Sequence, residues 1–153
     1  MRRLCGLVFF LLLVTPSFCQ ATNWQQISHQ PQYLLDRDSL TYQKNKDGKP
    51  QTTLIGVVIR RSINQDQANK MAVGQTDSNL KSIIESTAYE ENLYWFNLEK
   101  QTFYLAGSAL LSSTETILAT SQTETEPQPI PDKGLFAEVF KEILSAQVKK
   151  QIN

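Results

Sequence analysis

The chain is 153 residues long, the size of one domain at roughly 100–200 residues each. Its residues are 41% hydrophobic and 20% charged, close to an ordinary folded globular chain and far from disordered or fibrous compositions. Fifteen basic residues against fifteen acidic ones leave no positive field that would recruit nucleic acid or an anionic membrane by charge alone.

The N-terminus reads as a secretory signal peptide over residues 1–19. Met1-Arg2-Arg3 supplies a positive start, and Leu4 to Val14 is an uncharged apolar run of 11 residues, with Pro16 just beyond it. Such a run is too short for the roughly 20 residues that cross a bilayer, and no later segment is apolar enough to try, so no transmembrane segment is expected in the mature chain. Small residues place cleavage after Cys19 or after Ala21. A lipid anchor on Cys19 is the competing reading, and the bulky Phe18 before it argues against acylation. Cleavage after Cys19 removes both cysteines, and it removes Arg2 and Arg3 but no acidic residue, so a balanced chain becomes one of net charge −2. The mature protein then has no disulfide to make, and its stability must come from packing. A cysteine-poor, Gln- and Thr-rich exported chain points to a bacterial protein of the periplasm or outer cell surface.

Residues 22–153 read as a single domain. Trp24 to Ile27 and Gln32 to Leu35 are short extended runs separated by Ser28-His29-Gln30-Pro31. Asp36 to Leu40 suits a turn or one helical turn, because Asp and Ser side chains bond their own nearby backbone. A short strand at Thr41 to Gln43 leads to a hairpin turn centred on Asp47-Gly48. The clearest strand is Thr52 to Ile63, with Thr53, Ile55, Val57 and Ile59 on its core face.

Asn64 to Asn79 is polar and non-periodic and reads as an extended loop. Leu80, Ile83, Ile84, Thr87 and Ala88 recur at helical spacing behind Asp77-Ser78, which predicts a short helix, although residues 80–88 also admit a strand. Leu93 to Leu98 and Thr102 to Leu111 predict a second hairpin, with Phe103, Leu105, Ala109 and Leu111 facing inward. Thr116 to Thr120 adds a last strand, and Ser121 to Pro131, with three prolines, is a connector. Leu135, Phe136, Val139, Phe140, Ile143 and Leu144 then form one apolar stripe at i, i+3, i+4 spacing, with Glu138, Lys141 and Glu142 opposite. The expected fold is α+β, a single antiparallel sheet of about five to six strands packed by a C-terminal amphipathic helix.

The residues that would carry chemistry are sparse. His29 is the only histidine and has no fixed partner. Asp36 and Asp38 read as turn chemistry rather than as an acid–base pair, and two carboxylates are too few for a Ca²⁺ site. Ser112-Ser113-Thr114 has no nearby base, and no nucleophile elbow, Walker loop, HExxH or CxxC motif occurs. No catalytic, cofactor-binding or metal-binding residue is therefore assigned, and a small hydrolase would need folding to gather His29, Asp36 and Ser112. The candidate binding surface is Arg60, Arg61, Tyr94 and Trp95. The arginine pair puts one charge on each face of a strand end, able to meet a carboxylate or sulfate, and of the two adjacent aromatics one faces the core and one solvent.

The order Trp24-x-x-Ile27, Tyr33-Leu34-Leu35-Asp36-x-Asp38-Ser39-Leu40, Val57-Val58-Ile59-Arg60, Tyr94-Trp95-Phe96-Asn97 to Tyr104, and Pro129-Ile130-Pro131 before a terminal helix resembles the surface-adhesin protein E-like family of exported bacterial proteins. The resemblance covers nearly the whole mature chain. It implies a small antiparallel sheet with a C-terminal helix, an envelope location, and adhesion to host extracellular-matrix or serum proteins. It also implies a cysteine in the second hairpin, where this chain has Leu98, and another in the final helix, which here has none. The leading expectation is a non-enzymatic binding module, and the alternative is a periplasmic structural or accessory protein without a host ligand.

Overall fold

The computed structural model describes residues 23–152. The expected signal peptide, its expected cleavage site and Cys19 lie outside the described residues. Eight strands and three helices follow one another as β1 (Trp24–Ile27), β2 (Gln30–Asp36), β3 (Thr41–Lys44), β4 (Pro50–Ser62), α1 (Gln65–Ala72), α2 (Ser78–Glu85), β5 (Tyr89–Asn97), β6 (Thr102–Leu111), β7 (Ile117–Ser121), β8 (Gln128–Pro129) and α3 (Leu135–Val148). All strand pairs are antiparallel in one open sheet of order β1-β2-β4-β5-β6-β7, with β3 beside β4 and β8 beside β6. The fold is α+β, as expected.

Local chemistry sets the connections. Asp36 accepts from the Asp38 amide at 2.9 Å and starts a single 3₁₀ turn over Arg37–Ser39, and the Ser39 hydroxyl then accepts from Val58 N at 2.8 Å, tying the turn to β4. The β3–β4 turn contains Gly48 at φ 76°, a left-handed conformation that glycine adopts without Cβ strain. At the far end of the chain Pro129 sits in the two-residue β8, where its missing amide donor is tolerated on an edge.

Side-chain alternation divides β4 between two faces. Ile55, Val57 and Ile59 are buried on the inner face, opposite Phe96, Tyr94 and Asn92 of β5, and Leu35 of β2 lies opposite Ile59. Thr53, expected on this face, is exposed at the start of the strand. Helix α3 covers the inner face with Val139, Ile143 and Ala146, all fully buried. Phe140 stacks on Phe96 at 6.5 Å, and Phe136 on Phe103 at 3.9 Å between centroids. Burying side chains such as Val139 and Ile143 stabilises by about 1.5–3 kcal/mol each. Leu144 falls off the predicted stripe and is 39% exposed. Glu142 lies beside the packed face, where its carboxylate meets Arg37 at 2.5 Å and links α3 to the 3₁₀ turn.

Two further expectations are corrected. The segment 64–79 is not an extended loop, because Gln65–Ala72 is helical. Asn64 and Gln67 form a reciprocal capping box at its start, and Ala68 and Ala72 give a narrow buried stripe four residues apart. Asp77 caps α2, accepting from Asn79 and Leu80 amides, which resolves residues 80–85 as helix. Replacing Asp77 with alanine is expected to lower stability by about 1 kcal/mol, read from the urea midpoint; an unchanged midpoint would show that the cap does not hold this helix.

The second correction concerns β6. Tyr94 pairs with Leu105 but Leu93 pairs with Gly107, which leaves Ala106 as an extra residue. A bulge of one residue moves every later side chain to the opposite face. Phe103 and Leu105 therefore point inward with Phe96 and Tyr94, whereas Ala109 and Leu111 lie on the outer face with Glu91 and Tyr89.

Candidate functional site

The outer face of the sheet has two halves. At one end, Arg60 is 5% exposed and Glu91, its neighbour across the β4–β5 pair, is equally buried. The Arg60 Nε and Nη2 donate to Glu91 Oε1 at 2.9 and 2.5 Å, and Nη1 donates to Glu115 Oε1 at 2.6 Å. The guanidinium carbon lies 4.2 Å from the Trp24 ring centroid and 4.9 Å from that of Tyr89. Burial alone would push the guanidinium toward its neutral form, but its hydrogen bonds to Glu115 and Glu91 and their negative charges outweigh it and hold the group charged. Glu115 sits at φ 61° in the β6–β7 turn, so Arg60 ties that turn to Glu91 of β5.

The other half carries Leu54, Val58, Leu93, Trp95 and Tyr104, each partly exposed. Among the described residues, α3 packs on the opposite face. Trp95 pairs with Gly56 on one side and Tyr104 on the other. Its ring lies against Gly56 so closely that a Cβ there would meet Trp95 Cζ3 at 2.9 Å. Replacing Gly56 with alanine is expected to push the indole outward and red-shift its fluorescence with the sheet intact; an unchanged emission spectrum would show that the ring does not rest on this backbone.

The four sequence-predicted surface residues thus separate. Arg60 is spent inside the protein and offers no free charge to a partner. Trp95 is on the outer face, partly exposed. Arg61 and Tyr94 are on the inner face, where Arg61 Nη2 meets Glu90 Oε2 at 2.6 Å and the Tyr94 ring packs edge-on to Phe136 at 5.0 Å. Burial, with Glu90 and Tyr33 adding, pushes the Tyr94 hydroxyl up to about 12, so it remains a proton donor at neutral pH. Sequence reasoning missed Glu91, Glu115 and Trp24 as the partners of Arg60. Their separations of 31 and 55 residues for the glutamates leave no local signal.

The acid–base residues do not form a common centre. His29 is exposed in the β1–β2 turn at φ 58°. Ser112 is engaged in the β6–β7 turn, its hydroxyl 2.9 Å from that of Thr114 and accepting from the Thr116 amide at 3.2 Å. Strands β4 and β5 lie between these two turns in the sheet. Among the described residues no three His, Cys, Asp or Glu side chains gather as metal ligands, and no helix is long and apolar enough to cross a membrane.

Asp36 is 3% exposed, and burial first, with the Asp38 and Glu91 charges adding, raises its carboxyl above the ordinary 3.8. A raised folded value means that the native state holds the proton more tightly, so Asp36 lowers stability as pH climbs from 3.8 through its folded value and keeps that penalty at neutral pH. Asp36→Asn preserves the cap acceptor and removes the charge. Urea midpoints measured from pH 4 to 7 should show the variant losing less stability than the wild type as pH rises; parallel curves would contradict the assignment.

With this geometry in hand, comparison with known proteins gives one structural likeness. No family model matches the sequence, and no curated protein matches it. The fold is similar to that of Haemophilus influenzae protein E in a crystal structure, with a TM-score of 0.54 over 81% of this chain and 88% of that one, at 6% identity. At that identity the likeness concerns the fold.

Proposed function

We propose that this protein is an exported bacterial surface module that acts by binding, and that it contacts host extracellular-matrix or serum proteins. The observation that carries the reading is the two-sided sheet: α3 seals the inner face, while half of the outer face presents Trp95, Leu93, Val58 and Tyr104, each partly exposed. The fold likeness to protein E and the sequence resemblance to the surface-adhesin protein E-like family support the same role.

The face is the binding element rather than an edge or the 64–79 segment. The edge strands β1, β3 and β7 have only four or five residues, and each pairs with its neighbour through an irregular register, a common protection against strand addition. The 64–79 segment is largely helical.

The test is protease treatment of intact cells, followed by binding of the purified mature protein to immobilised matrix and serum proteins. Cleavage at the surface together with saturable binding is expected. Complete protection on intact cells would overturn the reading and leave the periplasmic accessory role.

A further inference from the structure

Beside the uncovered half of the outer face, the connector after β7 builds a wall. Thr125 is pinned to β6 by two hydrogen bonds: its amide donates to Leu105 O at 3.0 Å, and its hydroxyl accepts from Leu105 N at 3.1 Å. Glu124 and Glu126 flank this pin, and residues two apart in extended chain share a side. With Thr125, Pro127 and Tyr104 they enclose an open cavity of about 330 Å³. Burial and then the Glu124 charge raise the Tyr104 hydroxyl above its ordinary value, consistent with a carboxylate beside the ring.

The local charge is one-sided. From Thr102 to Asp132 the chain has no lysine or arginine and carries Glu115, Glu124, Glu126 and Asp132. Arg60 neutralises Glu115, whereas Glu124 and Glu126 form no ion pair with any described residue. An aromatic ring facing two carboxylates is a setting for a cation, which gains both charge attraction and contact with the ring.

We infer that the uncovered face takes an extended basic segment of a protein partner, its apolar side chains over Trp95, Leu93 and Val58 and a lysine or arginine side chain in the cavity against Tyr104 between Glu124 and Glu126. The inference rests on the surface-binding reading above and names the chemistry of the partner. Side chains of an extended peptide alternate between two directions, so one set can lie on the sheet face while the other is free to reach Glu124 and Glu126 in the wall beside it.

The test uses the mature protein and three fluorescein-labelled eight-residue peptides in which valine alternates with lysine, serine or glutamate. Anisotropy should show binding of the Lys-Val peptide, weakening as salt rises, and little binding of the other two. Glu124→Gln/Glu126→Gln removes two exposed charges without disturbing the core and should weaken Lys-Val binding roughly fivefold. Tyr104→Leu should weaken it as well. Equal binding of the lysine and serine peptides, or Lys-Val binding unchanged in the double variant, would overturn the inference. So would a wild type that sediments as a dimer and is returned to monomer by Trp95→Lys, which would assign the face to a second copy. Binding of matrix proteins that persists undiminished in the double variant would remove the basic partner and leave the surface-binding reading intact.

Discussion

Arg60→Ala is expected to destabilise the fold by about 3–5 kcal/mol, because it strands a buried carboxylate. The Arg60 and Glu91 side chains are each 7% exposed, so Glu91 without its partner must either remain charged in a poorly solvated site or take up a proton. The variant also frees the β6–β7 turn and removes the cation between Trp24 and Tyr89. Guanidinium denaturation of the mature protein measures the loss. A buried pair replaced as a unit by apolar residues of similar volume is often neutral, so Arg60→Met/Glu91→Leu should recover most of it. Glu115 is 49% exposed, and Glu115→Gln should change stability by only about 0–1 kcal/mol. An Arg60→Ala midpoint within error of the wild type would show that the pair is better hydrated than its burial indicates.

Phe96→Ala should produce a loss of the same size from a different cause. Phe96 is fully buried where sheet and helix meet, with rings of Phe103 and Phe140 stacked at 5.8 and 6.5 Å and that of Phe136 tilted at 6.4 Å. Truncating a buried phenylalanine costs about 3–5 kcal/mol, the lost transfer energy plus the cavity left behind. Since a domain has only about 5–15 kcal/mol of net stability, thermal unfolding should report a large fall in Tm. Hydrogen exchange should locate faster opening in α3. Leu144→Ala, at a partly exposed position on the same helix, should stay within about 0.5 kcal/mol of wild type and serves as the reference. Equal effects at the two positions would contradict the packing of α3 against this face.

These two residues mark how far the sequence could be read. Phe96 lies in an aromatic-rich extended run, and the run opposite it on β4 alternates Ile55, Val57 and Ile59, so a period of two announces a buried face. The stripe on α3 announces what covers it. Arg60 belongs to the same β4 run, but nothing near it in the chain states that it is buried. That required Trp24 of β1, Tyr89 and Glu91 of β5 and Glu115 of the β6–β7 turn to converge from three other segments. The bulge at Ala106 was equally silent, since an inserted residue leaves composition and local hydropathy unchanged while exchanging the faces of Ala109 and Leu111. For α1 a signal was present in Asn64-x-x-Gln67, but its buried stripe consists of two alanines, too weak an apolar pattern to outweigh the polar residues around it.

The candidate surface divides in the same way. One half-exposed aromatic of the pair Tyr94 and Trp95 follows from strand alternation, yet which of them faces solvent depends on the side that α3 covers. By itself the sequence determined the α+β class, the central β4 strand and the amphipathic C-terminal helix, because each rests on periodicity within one element, and it left residues 80–88 open between helix and strand. Only the tertiary structure decided that Arg60 is an internal strap, that Arg61 and Trp95 lie on opposite faces, and that Glu124 and Glu126 stand beside Tyr104, because each depends on strand register and on long-range contacts that no local pattern encodes.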